Sequence, residues 1–334
     1  MNRIVLAASC IAVTALFCLV TYAQRGRDSI EIVPPKIYTP PKLETSANLQ
    51  SILEAAVAQS TAASPNKFKQ EEIAATLIDL RDPNSMTWAS IRGEEKIYPA
   101  SVVKMFYMAA LERQLERGKI TLTPELTRGL RDMIVDSSNE ATQYILDVLT
   151  DTSSGAELPP KEFAKWQSKR NRVNRFYTAM GYTNINVNQK TFCEDAYGIE
   201  QQSRNYKGEN RNMLTTDATA RLLAEIVTGR MNTPERTKAM MDLMSRDWSK
   251  PSEDTDNQAV GFTGKALIDM NLTGAKLWSK AGWTSKARHD AAYVETPDGL
   301  KFVLVVFTEN HANDRDTIPA IAKEIISKMK ESAK

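Results

Sequence analysis

Histidine and cysteine are almost absent from this chain. Among 334 residues there are two histidines, His289 and His311, and three cysteines, Cys10, Cys18 and Cys193. Cys10 and Cys18 fall inside the apolar N-terminal run, so the rest of the chain keeps Cys193 alone and cannot close an internal disulfide. With no Cys/His cluster at metal-ligand spacing, no metal site is expected, and Cys193 reads as a packed, unreactive thiol. Long basic runs are missing too. The 43 Lys and Arg nearly balance 41 Asp and Glu, for a net charge of +2, which implies no nucleic-acid partner. No internal repeat is visible.

What is present suits a globular protein. The chain is 42% hydrophobic and 25% charged, enough for one large or two coupled domains with a real core. It begins "MNRIVLAASCIAVTALFCLVTYAQ", with a basic start, an apolar stretch over residues 4–20 and small residues at Thr21 and Ala23. This reads as a signal peptide, 1–23, cleaved before Gln24, and export to the periplasm or exterior is expected. An uncleaved anchor is the alternative, because 4–23 is just long enough to span a bilayer. Residues 24–45 contain "VPPKIYTPPK" and read as a Pro-rich, extended spacer ahead of a single domain, 46–334.

Within that domain "ANLQSILEAAVAQS" has helical periodicity, and residues 73–80 and 86–92 read as a strand pair joined at Asp82-Pro83-Asn84. From Ser101 to about Asp247 the patterns are mostly helical. Three strands follow in "AKLWSKAGW", "HDAAYVE" and "LKFVLVVFT", then a helix from about Thr317. The expected fold is therefore α/β of the α+β kind, an antiparallel sheet lobe flanked by helices with an inserted all-helical lobe. The first helix of the insert starts where the two lobes meet, a common place for a small-molecule site.

That helix, "YPASVVKMFYMAALERQLERG", is apolar nearly all round and should be buried. Lys104 sits in the middle of it. A lone lysine ordinarily buries its stem and sends its ammonium to water, but here no wet face is near. A buried ammonium is tolerated when it is paired or when its pKa falls far enough for it to act as a base. Ser101, one turn earlier, shares its face. Ser-x-x-Lys alone is weak, since Ser64/Lys67 and Ser327/Lys330 repeat it. Only Ser101/Lys104 joins it to a helix start, marked by Pro99, and an apolar surround.

Two further pieces follow in order, Ser137-Ser138-Asn139 and Lys280-Ala281-Gly282. Together with Ser101-Val102-Val103-Lys104, they give a chain that resembles the penicillin-recognising active-site-serine enzymes, most closely the class A β-lactamase-like serine hydrolases, from about Ala47 to Met329. The resemblance implies roles. Ser101 would be the nucleophile and Lys104 its base. Ser137 would relay a proton to the leaving nitrogen, and Asn139 would bind the substrate amide. Lys280, on a strand edge lining the cleft, would offer positive potential to a substrate carboxylate, and the N–H groups of Ser101 and Trp283 would form the oxyanion hole. No cofactor is implied. Taken singly, Ser137 and Ser138 would serve as helix caps, Asn139 as a turn residue and Lys280 as an exposed strand lysine.

The pattern is broken in two places. Ala281 stands where the family has a hydroxyl that holds the carboxylate. By alternation only one of Arg288 and His289 can face the cleft, and His289 is expected to do so, the rival being a strand histidine packed beside Tyr293. The family's loop glutamate, which activates the deacylating water, is also missing. Thr191 falls in its place and Asp195 in that of its partner asparagine, leaving Glu194, Glu200 or Glu209 as stand-ins or as solvated loop carboxylates. Ser-His-Asp chemistry is the rival mechanism, but no Gly-x-Ser-x-Gly turn surrounds Ser101. The expectation is a monomeric, exported hydrolase forming an acyl-enzyme on a small-molecule or cell-wall-peptide substrate. A D-alanyl-peptide peptidase, or a cell-wall-peptide-binding module without turnover, is the alternative.

Overall fold

A computed structural model describes residues 31–65 and 67–332. The expected leader, 1–23, lies outside them. Seven strands form one sheet in the order β1-β3-β2-β7-β6-β5-β4. They are β1 (Leu43–Thr45), β2 (Ile73–Asp79), β3 (Met86–Ile91), β4 (Ser245–Arg246), β5 (Lys276–Trp283), β6 (Ala287–Glu295) and β7 (Lys301–Glu309). All neighbours are antiparallel except β1 and β3. The five expected strands are all present; the short edges β1 and β4 carry too few residues to show a period-2 pattern.

On one face lie α1 (Ala47–Ala63) and, at the end of the chain, the last helix (Thr317–Glu331). They bury Leu53, Ile321 and Ile325 against Leu77, Val294 and Phe302. The other face carries the helical lobe, built from α2 (Val103–Glu116), α3 (Pro124–Ile134), α4 (Asn139–Thr150), α5 (Pro160–Arg170), α6 (Arg172–Ala179), α7 (Ile199–Arg204), α8 (Thr216–Val227) and α9 (Pro234–Met244). A short α10 (Thr263–Asp269) precedes β5, so the last helix is α11.

Helix α2 runs through the centre of this second layer. Every residue from Val103 to Leu115 is buried, as its all-round apolar pattern predicts. Met105, Phe106 and Met108 belong to the same apolar core as Leu222 of α8 and Val303, Val305 and Phe307 of β7. Each such side chain withdrawn from water contributes about 1.5–3 kcal/mol, and this fixes where the first turn of α2 meets the sheet.

The Pro-rich spacer expected over 24–45 is described over 31–45, and there it is docked on the domain. Arg113 donates to the carbonyls of Val33 and Pro34, Tyr38 donates to Glu225 at 2.7 Å, and β1 pairs with β3. Docking follows because extended backbone has free carbonyls, and buried arginines and an open sheet edge offer partners for them.

Candidate active site

Ser101 lies in a 3₁₀ turn, Ala100–Val102, that leads into α2. Its approach is constrained. Ala100 takes φ 47°, a left-handed conformation unusual for alanine, and Val102 N–H closes on Pro99 O at 3.1 Å. Strand β5 comes up against this turn at Gly282. A Cβ there would stand 2.7 Å from Ser101 N and 2.9 Å from Pro99 O, so glycine is what lets the strand touch the Ser101 turn.

One helical turn beyond Ser101, Lys104 is fully buried. Its Nζ donates to Ser137 O at 2.5 Å, Asn139 Oδ1 at 2.9 Å and Ser137 Oγ at 3.2 Å. None of these acceptors is charged. Burial therefore dominates and pushes its pKa down to about 7, against the opposing influence of Glu140 and Cys193. A lysine near 7 is partly neutral at neutral pH and can accept a proton.

Ser137 sits in a left-handed turn, φ 59°, just before α4. The capping role falls to its neighbour: Ser138 Oγ accepts from Ala141 N at 3.1 Å. This frees the Ser137 hydroxyl, which takes Lys104 from one side and Lys280 Nζ, at 3.0 Å, from the other. Asn139 Oδ1 faces Lys104, while its Nδ2 donates to Cys193 Sγ at 3.3 Å. The thiol expected to be packed is instead exposed, and it reaches the Asn139 amide. It lines a cavity of about 450 Å³ together with Tyr98, Glu194, Arg211, Thr284 and Lys286.

Lys280 also differs from expectation. It does not line an open cleft: it is fully buried, and besides Ser137 it donates to Gln258 Oε1 at 2.6 Å and Ala281 O at 2.8 Å. Burial, with Lys104 and Arg246 nearby, holds its pKa well below the usual lysine range. On the same strand, Ala281 N–H points to the outer edge of β5, where Gln258 Oε1 accepts it at 3.2 Å. N–H groups two residues apart leave a strand on the same side. Trp283 N–H therefore faces that edge as well, beside the Ser101 turn.

Two expected residues are elsewhere engaged. His289 does share the helical-lobe face with Tyr293, as alternation predicts, but it is sealed beneath the Ser101 turn. Its Nδ1 accepts from Thr308 N at 3.1 Å, so Nε2 carries the proton and donates to Tyr98 O at 2.9 Å. Burial lowers its pKa to about 4, and this neutral ring cannot serve a substrate carboxylate. Arg288, on the opposite face, pairs with Asp256 at 2.6 Å.

Glu200 is likewise excluded as a free base. It is 1% exposed, and Arg170 takes both of its oxygens at 2.7 and 2.9 Å. Burial raises its pKa, but Arg170 and Lys190 outweigh that and hold it below the usual value. Glu209 pairs with Arg211 and Asp195 with Arg204. Thr191 is buried beside α4, its carbonyl accepting from Gln143 Nε2 at 3.2 Å. Glu194 alone among the suggested carboxylates remains exposed at the cavity. Sequence reasoning missed Gln258, for which no motif or periodicity gives a signal.

A serine, two buried lysines and a strand edge thus meet at the junction of an antiparallel sheet and a helical lobe. The sequence matches the β-lactamase enzyme family over residues 54–150 and 125–329, and the chain belongs to that family. Among solved structures it is similar to a β-lactamase from Sphaerobacter thermophilus, at 19% identity over 84% of this chain and 96% of that one, with a TM-score of 0.58. It is similar to PBP-A at 16% identity, over 88% and 100%, TM-score 0.58. A β-lactamase from Xanthomonas campestris gives 16% identity, 85% and 100%, TM-score 0.59. No curated protein matches the sequence.

Proposed function

We propose that this protein acylates Ser101 with β-lactams or related amides and esters and releases the acyl group slowly. The observation that carries this reading is Lys104, buried one turn from Ser101 with a pKa near 7 and only neutral partners. Ser101 Oγ attacks the carbonyl carbon while its proton passes to Lys104 Nζ. The oxyanion that forms is stabilised by the N–H groups of Ser101 and Trp283 and by the start of α2. The carbon–nitrogen bond then breaks, its electron pair stays on nitrogen, and that nitrogen takes a proton from Ser137 Oγ, which Lys104 resupplies. Asn139 both steadies Lys104 and offers its amide to the acyl side of the substrate.

Release needs a water activated on the other side of the ester. Thr191 cannot take that water's proton at neutral pH, Glu200 is held by Arg170, and exposed Glu194 is the one carboxylate left to try. A D-alanyl cell-wall peptide is the alternative substrate for the same chemistry. A mutant of PBP-A is an acyl-enzyme complex with penicillin G, which supports penicillin as the first probe. Export belongs to the same proposal and rests on the leader composition; among the described residues no helix is long and apolar enough to cross a membrane. The test is intact mass over time after mixing with penicillin. A stable adduct, absent in Ser101→Ala, is expected; an adduct that persists in Ser101→Ala refutes the assignment.

A further inference from the structure

Gln258 lies on the chain between β4 and α10 and is wedged between two parts of the site. Its amide oxygen accepts from Lys280 Nζ at 2.6 Å and from Ala281 N at 3.2 Å. Its amide nitrogen donates to the carbonyls of Val135, at 3.0 Å, and Ile134, at 3.4 Å, just ahead of Ser137. Donors on one side and acceptors on the other fix which end is oxygen.

The two donors that Gln258 occupies are the ones a substrate anion would seek at this edge of β5. One is an ammonium and the other a main-chain N–H, converging on a single point. Both are closed off: Lys280 and Ala281 are fully buried, and Gln258 itself is 8% exposed. A carboxylate could reach them only by expelling the amide, which would leave the Val135 carbonyl without that partner, a cost comparable to what the new contact gains. Ala281 adds no hydroxyl to compensate. The partners of Lys280 are all neutral, which agrees with a lysine whose pKa has fallen rather than with a fixed ammonium kept for an anion.

We propose that Gln258 is a specificity-determining residue, its amide oxygen filling the point where Lys280 and the Ala281 N–H would otherwise hold a carboxylate, so that the site favours acyl donors whose leaving side is uncharged. The inference rests on the acyl-enzyme reading and narrows its substrate class to neutral esters and amides. Such a donor leaves Gln258 in place and needs only Ser137 at its leaving atom.

Benzylpenicillin and its methyl ester differ by one carboxylate charge and serve as probes. Each is mixed with the wild-type protein, Gln258→Ala and Gln258→Ser, and the adduct on Ser101 is timed by intact mass spectrometry. In the wild type the ester is expected to acylate at least as fast as the acid. In the variants the acid-to-ester rate ratio is expected to rise about tenfold, the worth of one hydrogen bond to a charged group. A wild-type preference of about tenfold or more for the acid overturns the inference, even if neither variant folds. An unchanged ratio in folded variants overturns it too. Adducts with the wrong preference overturn only this inference, whereas no adduct from either compound overturns the acyl-enzyme reading and the inference with it.

Discussion

Lys104 and Lys280 share one hydroxyl: their Nζ atoms stand 3.2 and 3.0 Å from Ser137 Oγ. Two ammonium ions facing one neutral oxygen in a buried site repel each other, and none of their hydrogen-bond acceptors is a carboxylate. The low-energy arrangement keeps at least one of them neutral, and that one can accept a proton.

The acylation rate should therefore rise with pH. Lys104 must be neutral to accept the Ser101 proton, and its pKa is near 7. Penicillin acylation is expected to increase about tenfold per pH unit below 6, bend near 7 and level off above 8. Lys104→Ala should slow acylation by roughly 10²- to 10⁴-fold. Stopped-flow labelling from pH 5 to 9 checks both, and a flat profile would remove Lys104 from the base role.

Turnover should be limited by release of the acyl group. A burst of about one product per enzyme followed by slow hydrolysis is expected, because Thr191 supplies no base at the loop position. Thr191→Glu should then speed release tenfold or more without speeding the burst. Fast steady-state hydrolysis with no burst and no adduct would mean another residue, Glu194 first, already does this work, and Glu194→Gln would show it.

Glu200 should matter for stability instead of chemistry. Removing one partner of a buried ion pair typically costs about 3–5 kcal/mol, so Glu200→Gln is expected to lower the denaturation midpoint sharply. Deacylation by the protein that remains folded should stay within a few-fold of wild type. A selective loss of deacylation at unchanged stability would reverse this assignment.

His289 should make stability pH-dependent below neutrality. Its folded pKa, about 4, lies below the unfolded value of 6.5, so between these the unfolded chain binds more protons. Stability is expected to fall as pH drops from 6.5 to 4, by about 3 kcal/mol from this group. Urea unfolding at pH 4.5 and 7 should show the loss, and His289→Asn should flatten it. The same variant should also slow acylation, since it loosens the Tyr98 carbonyl beside the nucleophile turn.

Much of this was legible in the chain. Alternation and helical period place the five long strands and α2, because burial of one face or of a whole surface constrains residue type at every second, third or fourth position. Lys104 is conspicuous for the same reason: a charge within an all-apolar helix has to be paired or neutralised, wherever the helix lies. The step from Ser101 to Lys104 follows from helix geometry, whereas the left-handed turn that sets Ser137 beside both lysines does not.

What no local rule could supply are contacts between segments far apart in the chain. His289 faces the side that alternation requires, yet whether that side is open depends on the Tyr98 turn lying over it. Glu200 looks like any loop carboxylate until Arg170, thirty residues earlier, is folded against both of its oxygens. Gln258 sits in a polar stretch with no periodicity, and only the packing of that stretch over β5 brings it to Lys280. Periodicity records which surfaces are buried, while the partner of a buried polar group is chosen by the whole fold, since any donor or acceptor that reaches it will satisfy it.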